Sequence, residues 1–282
     1  MTSINTNPGA EIALRVLSDR QVEKEEVQED VSTGKEVDKA KDSAAIWAIS
    51  EIMGSDLAGF EATSKGLNIG EATVAVASAG AEQITSLLTD MKELTIQANS
   101  GVIDYSKIEE QLAQKTEQIN TIISSSGFNG VNLLATDTDG NGGTSLTVAA
   151  SQDRSGDDAP TLSSITVDSV DFEGNASFDI NNRTTVTDAA SARTALGEIE
   201  GFLRYATEGA ASLGAGAQQM AEQDVFLDKL SDAVRLGISE LTDTDMEDAA
   251  TRYEALSVQE QLSGLSLSIA NASPGSLRSL YS

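Results

Sequence analysis

Two residue types are missing altogether: there is no cysteine and no histidine among the 282 residues. Without cysteine there is no disulfide framework, no thiolate nucleophile and no cysteine-held zinc. Without histidine, serine–histidine catalysis and HExxH metalloprotease chemistry are excluded as well. An enzyme built from this chain would work with Asp, Glu, Lys, Tyr or Ser alone, and no cofactor motif is present. Aromatic residues make up only 4%, so the large rings that compact cores rely on are scarce. Basic charge is thin too: 18 Lys and Arg stand against 45 Asp and Glu, a formal charge of -27. That balance argues against nucleic acid as a partner and against docking onto an anionic membrane. No apolar run is long enough to span a bilayer. The opening MTSINTNPGAEIALRVL lacks the basic and apolar regions of a cleaved signal peptide, so an extracellular destination implies another export route.

What is present is helical periodicity in small and aliphatic residues. From Asp42 to Asn99, steps of three and four meet Ile46, Ile49, Met53, Phe60, Leu67, Val74, Ala77, Ala81, Ile84, Leu88, Met91 and Ala98. The stripe thins at Asp56, Thr63, Gly70 and Thr95 without breaking. Such a seam marks a long helix packed lengthwise on others, roughly 85 Å at the α-helical rise. Asp42-Ser43 can cap it, and Asn99-Ser100-Gly101 ends it. Before it, residues 1–9 read as a lead-in. A helix from Ala10 carries Ile12, Val16, Val22 and Val27, with Leu14 and Leu17 widening its face, up to Ser32-Thr33-Gly34. Its clustered carboxylates, Glu23, Glu25, Glu26, Glu29 and Asp30, read as solvated charge rather than a catalytic pair.

After the long helix, Ser106 and Glu109 form a capping-box pattern for a helix carrying Ile108, Leu112, Ile119 and Ile122. Phe128-Asn129-Gly130 is a hairpin-turn signal. Short alternating pieces at 146–148 and 164–167 then read as β-hairpins. Asp137-Thr138-Asp139-Gly140-Asn141-Gly142 begins like a calcium loop, but its twelfth position is Val148 where a bidentate glutamate is required, so it reads as a polar turn. Asn175-Ala176-Ser177 and Asn182-Arg183-Thr184 fit the glycosylation sequon. From Asp188 a second long seam includes Ile199, Leu203, Ala206, Leu213, Met220 and Leu227, with Gly209, Gly214 and Gly216 permitting close helix approach. Thr244 and Glu247 suggest a cap for the last helix, which carries Val258, Leu262, Leu265 and Ile269 and ends at Pro274-Gly275. Between Gln261 and Leu277 that helix has no charge at all. A surface helix normally carries charge, so this one is expected to be buried on most faces, and many copies packed around an axis can bury it.

Several segments resemble bacterial flagellin. Ser3 to Asn7 is similar to the family's opening. Ser32-Thr33-Gly34-Lys35 with Ala40-Lys41-Asp42 and Ala44-Ala45 resembles its SGL…SAKDDAAG segment, and Leu88 to Gln97 its LQRVRELAVQ segment. Phe128 to Val131 with Leu133-Leu134 resembles the FNG…LL block, and Ser257 to Leu262, Ser268 to Asn271 and Leu277 to Leu280 the closing helix. The resemblance covers roughly residues 1–135 and 188–282.

It implies a mainly α fold, an elongated antiparallel helical bundle or coiled coil with a small β-hairpin lobe. Residues 1–31 and 246–282 would pair as the filament-core domain D0, joined by connectors 32–41 and 242–245. Residues 42–127 and 188–241 would form the D1 rod, with 128–187 as its β-hairpin lobe. Core packing and polymerisation would fall to Ile12, Val16, Leu256, Val258, Leu262, Leu265 and Ile269. The rod seam would run through Ile49, Met53, Phe60, Leu88, Met91, Leu203, Leu213 and Met220. The implied role is a non-enzymatic subunit of the extracellular flagellar filament, with other copies of itself, the export apparatus, an export chaperone, the filament cap and the hook-junction proteins as partners. In the segment that the Toll-like flagellin receptor recognises, Leu88, Glu93, Leu94 and Gln97 keep the pattern. Asp90 stands at an arginine position and Gln111 at a glutamate position, which implies weak or absent activation. Two other readings are a hook–filament junction protein with the same terminal helices and a cytosolic coiled-coil scaffold.

Overall fold

The computed structural model describes residues 6–100, 104–154 and 160–279. The order is α1 (Pro8–Thr33), α2 (Ala44–Asn99), α3 (Tyr105–Ser125), β1 (Ser145–Asp153), β2 (Thr161–Asp168), α4 (Ala189–Thr242) and α5 (Met246–Ser279). The chain divides into two compact units. One is drawn from the chain up to Ser55 and from Ala233 onward, and the other spans Asp56–Asp232. The first twelve residues of α2 and the last ten of α4 thus group with the terminal helices rather than with the expected rod. The opening Ser3-Ile4-Asn5, Gly101 and Leu280 lie outside the described residues.

In the Asp56–Asp232 unit, α2 buries Phe60, Thr63, Leu67, Gly70, Val74, Ala77, Ala81, Ile84, Leu88, Met91, Thr95 and Ala98, with Thr73, Gly80 and Leu87 beside them. Three of the four residues at which the apolar stripe thins are therefore inside it. The hydroxyls of Thr63 and Thr95 donate to carbonyls four residues back, at 2.9 and 2.7 Å, so their burial leaves no donor unmatched. On α4 the buried series is Ala192, Ala195, Ile199, Phe202, Ala206, Gly209, Leu213, Gly216, Met220 and Leu227. It passes through Phe202, while Leu203 is only half-buried. Phe202 is drawn in by an aromatic cluster with Phe178, Phe172 and Tyr205, whose ring centroids are 4.6 to 5.9 Å apart. On α3 the fourth buried position is Ile123, not Ile122. Helices α2 and α4 run antiparallel, tied by Ser64 to Asp224 at 2.5 Å, Lys92 to Glu200 at 3.1 Å and Arg193 to Asn99 at 3.1 Å.

The two alternating pieces of the lobe are one hairpin, since β1 pairs antiparallel with β2 in the register Leu146 to Val167 and Val148 to Ile165. A bulge at Ala149/Ser151 turns Ala150 inward, where it is buried. The hairpin and the chain just beyond it sit in notches where the helices carry glycine. A Cβ on Gly70 would stand 2.7 Å from Val148, one on Gly209 2.3 Å from Val170, and one on Gly216 2.7 Å from Val167. Gly209 and Gly216 therefore admit the lobe, not another helix, and Gly214 meets nothing within 4 Å. Ahead of the hairpin, Asn129 (φ 52°) and Gly130 (φ 82°) form the turn expected of them. The amides of Phe128 and Val131 each bond the other's carbonyl at 2.9 Å, a type I′ geometry.

Polar groups close the lobe's return to α4. The Arg183 guanidinium, almost fully buried, forks onto Glu109 at 2.7 and 3.1 Å, and Glu109 also accepts from the Val186 amide at 2.9 Å. Glu198 accepts from both the amide and the hydroxyl of Thr184 at 2.7 Å. Glu109 is thus not a capping-box partner of Ser106, because Asp104 caps α3 by accepting from the Ser106 amide at 3.1 Å. Asp245, rather than Thr244, accepts from the Glu247 amide at 2.9 Å to open α5. Helix α1 begins two residues before Ala10, with Asn7 accepting from the Ala10 amide. Helix α5 runs on through Pro274-Gly275 to Ser279.

In the other unit, α1 and α5 pair antiparallel, with Val27, Ala249 and Leu256 buried between them and Val31 and Tyr253 packed alongside. Gly34 (φ 73°) ends α1 in the left-handed conformation that glycine tolerates. The chain then lies against the end of α4, where the amides of Glu36 and Val37 donate to the Thr242 carbonyl at 2.8 and 3.2 Å. Glu29 forms ion pairs with Lys39 and Lys41. A cleft of about 600 Å³ here is lined by Asp30, Glu26, Glu36 and Asp42 among others, with Arg20 and Arg252. Burial, and then the charges of Glu26, Glu36 and Asp42, raise the Asp30 carboxyl above its ordinary range against the pull of Arg252.

Three outcomes follow, each read by equilibrium unfolding. Gly70→Ala forces a Cβ against Val148 and Met220 and should destabilise by about 1–3 kcal/mol. Gly197→Ala, where a Cβ meets nothing, should stabilise by about 1 kcal/mol through helix propensity alone. Because the Asp30 pKa is raised on folding, its charged form is penalised above that pKa and relieved below it. Asp30→Asn should therefore stabilise the protein at neutral pH, and the gain should disappear as the pH falls through the folded pKa.

Candidate assembly surfaces

The α1–α5 pair shows how a helix that fits one partner can still present a second apolar face. On α1 the less exposed positions include Ala10, Ala13, Leu17, Arg20, Lys24, Val27 and Val31, in steps of three and four, with Glu29 and Asp30 beside them near the helix end. On α5 they include Ala249, Tyr253, Leu256, Glu260, Ser263, Leu267 and Ala270, in the same rhythm, with Ser257 and Gly264 beside them. These are the two sides of a coiled-coil seam. Its charged residues are Arg20, which pairs with Glu23 of its own helix at 2.6 Å, and Lys24 with Glu260, where Lys24 reaches Glu260 at 2.8 Å and lies 5.5 Å over the Tyr253 ring. The hydrogen bond to Glu260 holds the Lys24 ammonium above its ordinary pKa, and the bond from Lys24 holds Glu260 below its own. Towards the chain ends the seam consists of alanine, serine and Leu17 with Leu267, and Asn7 donates to the Ala270 carbonyl at 2.8 Å.

Of the residues expected to pack the core and drive polymerisation, the structure turns only Leu256 into this seam. Ile12, Val16, Val258, Leu262, Leu265 and Ile269 are all exposed, up to 73% at Ile269. The last four follow one another at four, three and four residues, so they form a single stripe. It lies about two helical steps of 100° from the seam position two residues earlier, on the far side of α5. The helix is apolar on both faces, and the residues between them from Gln261 onward are Gln, Ser, Gly and Asn. Ile12 and Val16, with Leu14 and Val22, stand exposed on α1.

The expected rod residues divide in the same way. Phe60, Leu88, Met91, Leu213 and Met220 are buried within the Asp56–Asp232 unit. Ile49 is half exposed, and Met53 is half-buried and faces Gly237. Both belong to the unit of the terminal helices.

In the receptor-type segment, Leu88 is fully buried on the α2 seam and offers nothing to a partner. Asp90, Glu93, Leu94 and Gln111 line a groove of about 300 Å³ between α2 and α3, with Gln97 and Lys115. Lys115 is bound to Asp90 at 2.7 Å, so the cation nearest this groove is already engaged. In the calcium-like turn, Asp137 accepts from the amides of Gly142 and Asp139, and Asp139 from those of Asn141 and Gly143. Those carboxylates close the turn on its own backbone. Among the described residues, no cluster of three or more Asp or Glu could hold a metal ion, and no helix is long and apolar enough to cross a membrane.

The chain matches the bacterial flagellin N-terminal helical region over residues 4–139 and the C-terminal helical region over residues 196–281. It is 33% identical to flagellin FljK of Caulobacter vibrioides over 284 residues, covering all of this chain and 99% of that one. It is 34% identical to a flagellin of Brucella melitensis over 286 residues, with the same coverage. A crystal structure of Bacillus cereus flagellin superposes with a TM-score of 0.48 at 18% identity, over 59% of this chain and 88% of that chain. Full-length identity at this level, and helical regions matched at both ends, make this chain a member of the bacterial flagellin family, a structural subunit of the extracellular flagellar filament.

Proposed function

We propose that this flagellin polymerises through the apolar faces that α1 and α5 leave exposed and that it has no catalytic role. The observation that carries the reading is the charge-free second stripe of α5: Val258, Leu262, Leu265 and Ile269. Each large aliphatic side chain removed from water contributes about 1.5–3 kcal/mol. Repeated contacts between two different faces of neighbouring copies grow a helical filament when the rotation between copies does not close into a ring. Residues 1–31 with 246–282 then act as the D0 core, and the α2–α3–α4 bundle with its lobe as D1. The same reading has subunits leave by the flagellar export apparatus with a chaperone and add beneath a cap to a filament that starts at the hook-junction proteins.

Weak receptor activation belongs to this reading too. Asp90 presents a carboxylate tied to Lys115 where the family pattern has arginine, and a reversed charge at a contact weakens association.

Leu265→Glu should leave the helical content of the free subunit unchanged, because the residue is exposed there. In seeded growth it should raise the critical concentration about a hundredfold or more, since burying an unpaired carboxylate costs about 3 kcal/mol or more. Long, normal filaments from this variant would overturn the assignment of the stripe, and failure of the parent chain to make long fibres from seeds would favour a junction protein. In a receptor-reporter assay the parent should signal weakly and Asp90→Arg more strongly. Signalling by the parent at the level of a typical enteric flagellin would refute the receptor reading.

A further inference from the structure

The chain contains two Asn-Gly sequences, Asn129-Gly130 and Asn141-Gly142. Asparagine before glycine is chemically labile because glycine offers little steric resistance to ring closure. The glycine amide nitrogen attacks the asparagine Cγ, a C–N bond forms, the Cγ–Nδ2 bond breaks and ammonia departs. Water then opens the resulting succinimide at either carbonyl, giving aspartate or isoaspartate. The net change is amide plus water to carboxylate plus ammonium, so no reagent beyond water is required.

Both asparagines and both glycines are exposed, so access does not distinguish them. Hydrogen bonding does. The Gly142 amide, the nucleophile at the second site, donates to the Asp137 carboxylate at 2.9 Å. The Asn141 amide donates to Asp139 Oδ1 at 2.9 Å, and its side-chain nitrogen to the Asp139 carbonyl at 3.3 Å. The Thr138 amide bonds the Gly143 carbonyl at 2.9 Å and draws the turn closed. The same backbone bond from Gly142 holds the Asp137 carboxyl below its ordinary range, so the acceptor stays ionised. A deprotonated Gly142 nitrogen would have to form directly against that negative charge. At the first site, among the described residues, no acceptor receives the Gly130 amide and no partner holds the Asn129 side chain. The turn is closed only by the pair of bonds between Phe128 and Val131. Local opening of so small a unit is inexpensive.

We propose that Asn129 is a site of spontaneous deamidation in the folded protein and that the Asp137 carboxylate protects Asn141 from the same reaction. Conversion of Asn129 adds one negative charge, and the isoaspartate product inserts an extra backbone carbon into a turn that needs φ above zero at both central residues.

The test is incubation of the purified full chain in mildly alkaline buffer. Digestion before aspartate then separates the two sites onto different peptides, and mass spectrometry follows the gain of about one dalton at each. Asn129 should convert about tenfold faster than Asn141, the weight of one hydrogen bond to a charged acceptor. In denaturant the two rates should converge. Asp137→Ala should raise the Asn141 rate about tenfold while leaving Asn129 unchanged, and Asp137→Asn, which keeps a neutral acceptor, should fall between. Equal or faster conversion of Asn141 in the folded parent would overturn the proposal. So would an Asn141 rate that Asp137→Ala does not move while circular dichroism of the same sample shows the parent's helical content.

Discussion

Every helix in this chain depends on burying a narrow stripe of side chains spaced alternately three and four residues apart. A stripe of that kind has no depth. It cannot build a core by itself, and with only 4% aromatic residues the chain has few side chains that could thicken one. Stability must come from length, from many small contacts along antiparallel neighbours. The rest follows from this constraint, including the tolerance of threonine and glycine inside the seam and the lobe that fills the side the helices leave open. It also accounts for the apolar side chains that the terminal helices leave exposed within one chain.

Much of this was legible in the residues because a long period is hard to disguise. Phe60 to Ala98 could be placed almost position by position, since a 3–4 rhythm sustained over many turns admits one register. The end of α1 at Gly34 and the turn at Asn129-Gly130 were also legible, because each requires positive φ and carries the residues that tolerate it. Where the readings differ by one residue, as at Leu203 and Phe202 or Ile122 and Ile123, both neighbours are apolar and the helix alone does not choose. The aromatic contact from Phe178, distant in sequence, decided the first case. The caps failed for a related reason. Ser106 and Thr244 fit the pattern, but an aspartate two residues before or one residue after made the bond instead, and Glu109 was taken by Arg183 from the other end of the lobe.

The proposed assembly surface was legible as an anomaly rather than as a site. Seventeen residues without charge in so acidic a chain indicate burial, yet within one molecule most of their large side chains are exposed. Only the geometry of the α1–α5 pair separates Leu256, which is spent inside the subunit, from Val258, Leu262, Leu265 and Ile269, which are not. The half-buried pair of Lys24 and Glu260 joins the two helices across the seam and helps fix which of their residues stand opposite one another and therefore which face remains outward.

The valines that enter the notches of α4 have a further consequence. Gly209 and Gly216 are seven residues apart on a helix, about 10.5 Å along its axis, while Val170 and Val167 are three residues apart on an extended chain, about 10 Å. Two different polymers, one coiled and one stretched, are thus commensurate over this interval, and each valine meets its glycine only when both do. The contact behaves as a vernier. A slip of one residue by either element would set a valine against a side chain instead of a gap, so the lobe has one seat on the helix and no adjacent one. Bending or twisting of α4 would have to carry the lobe with it as a single piece.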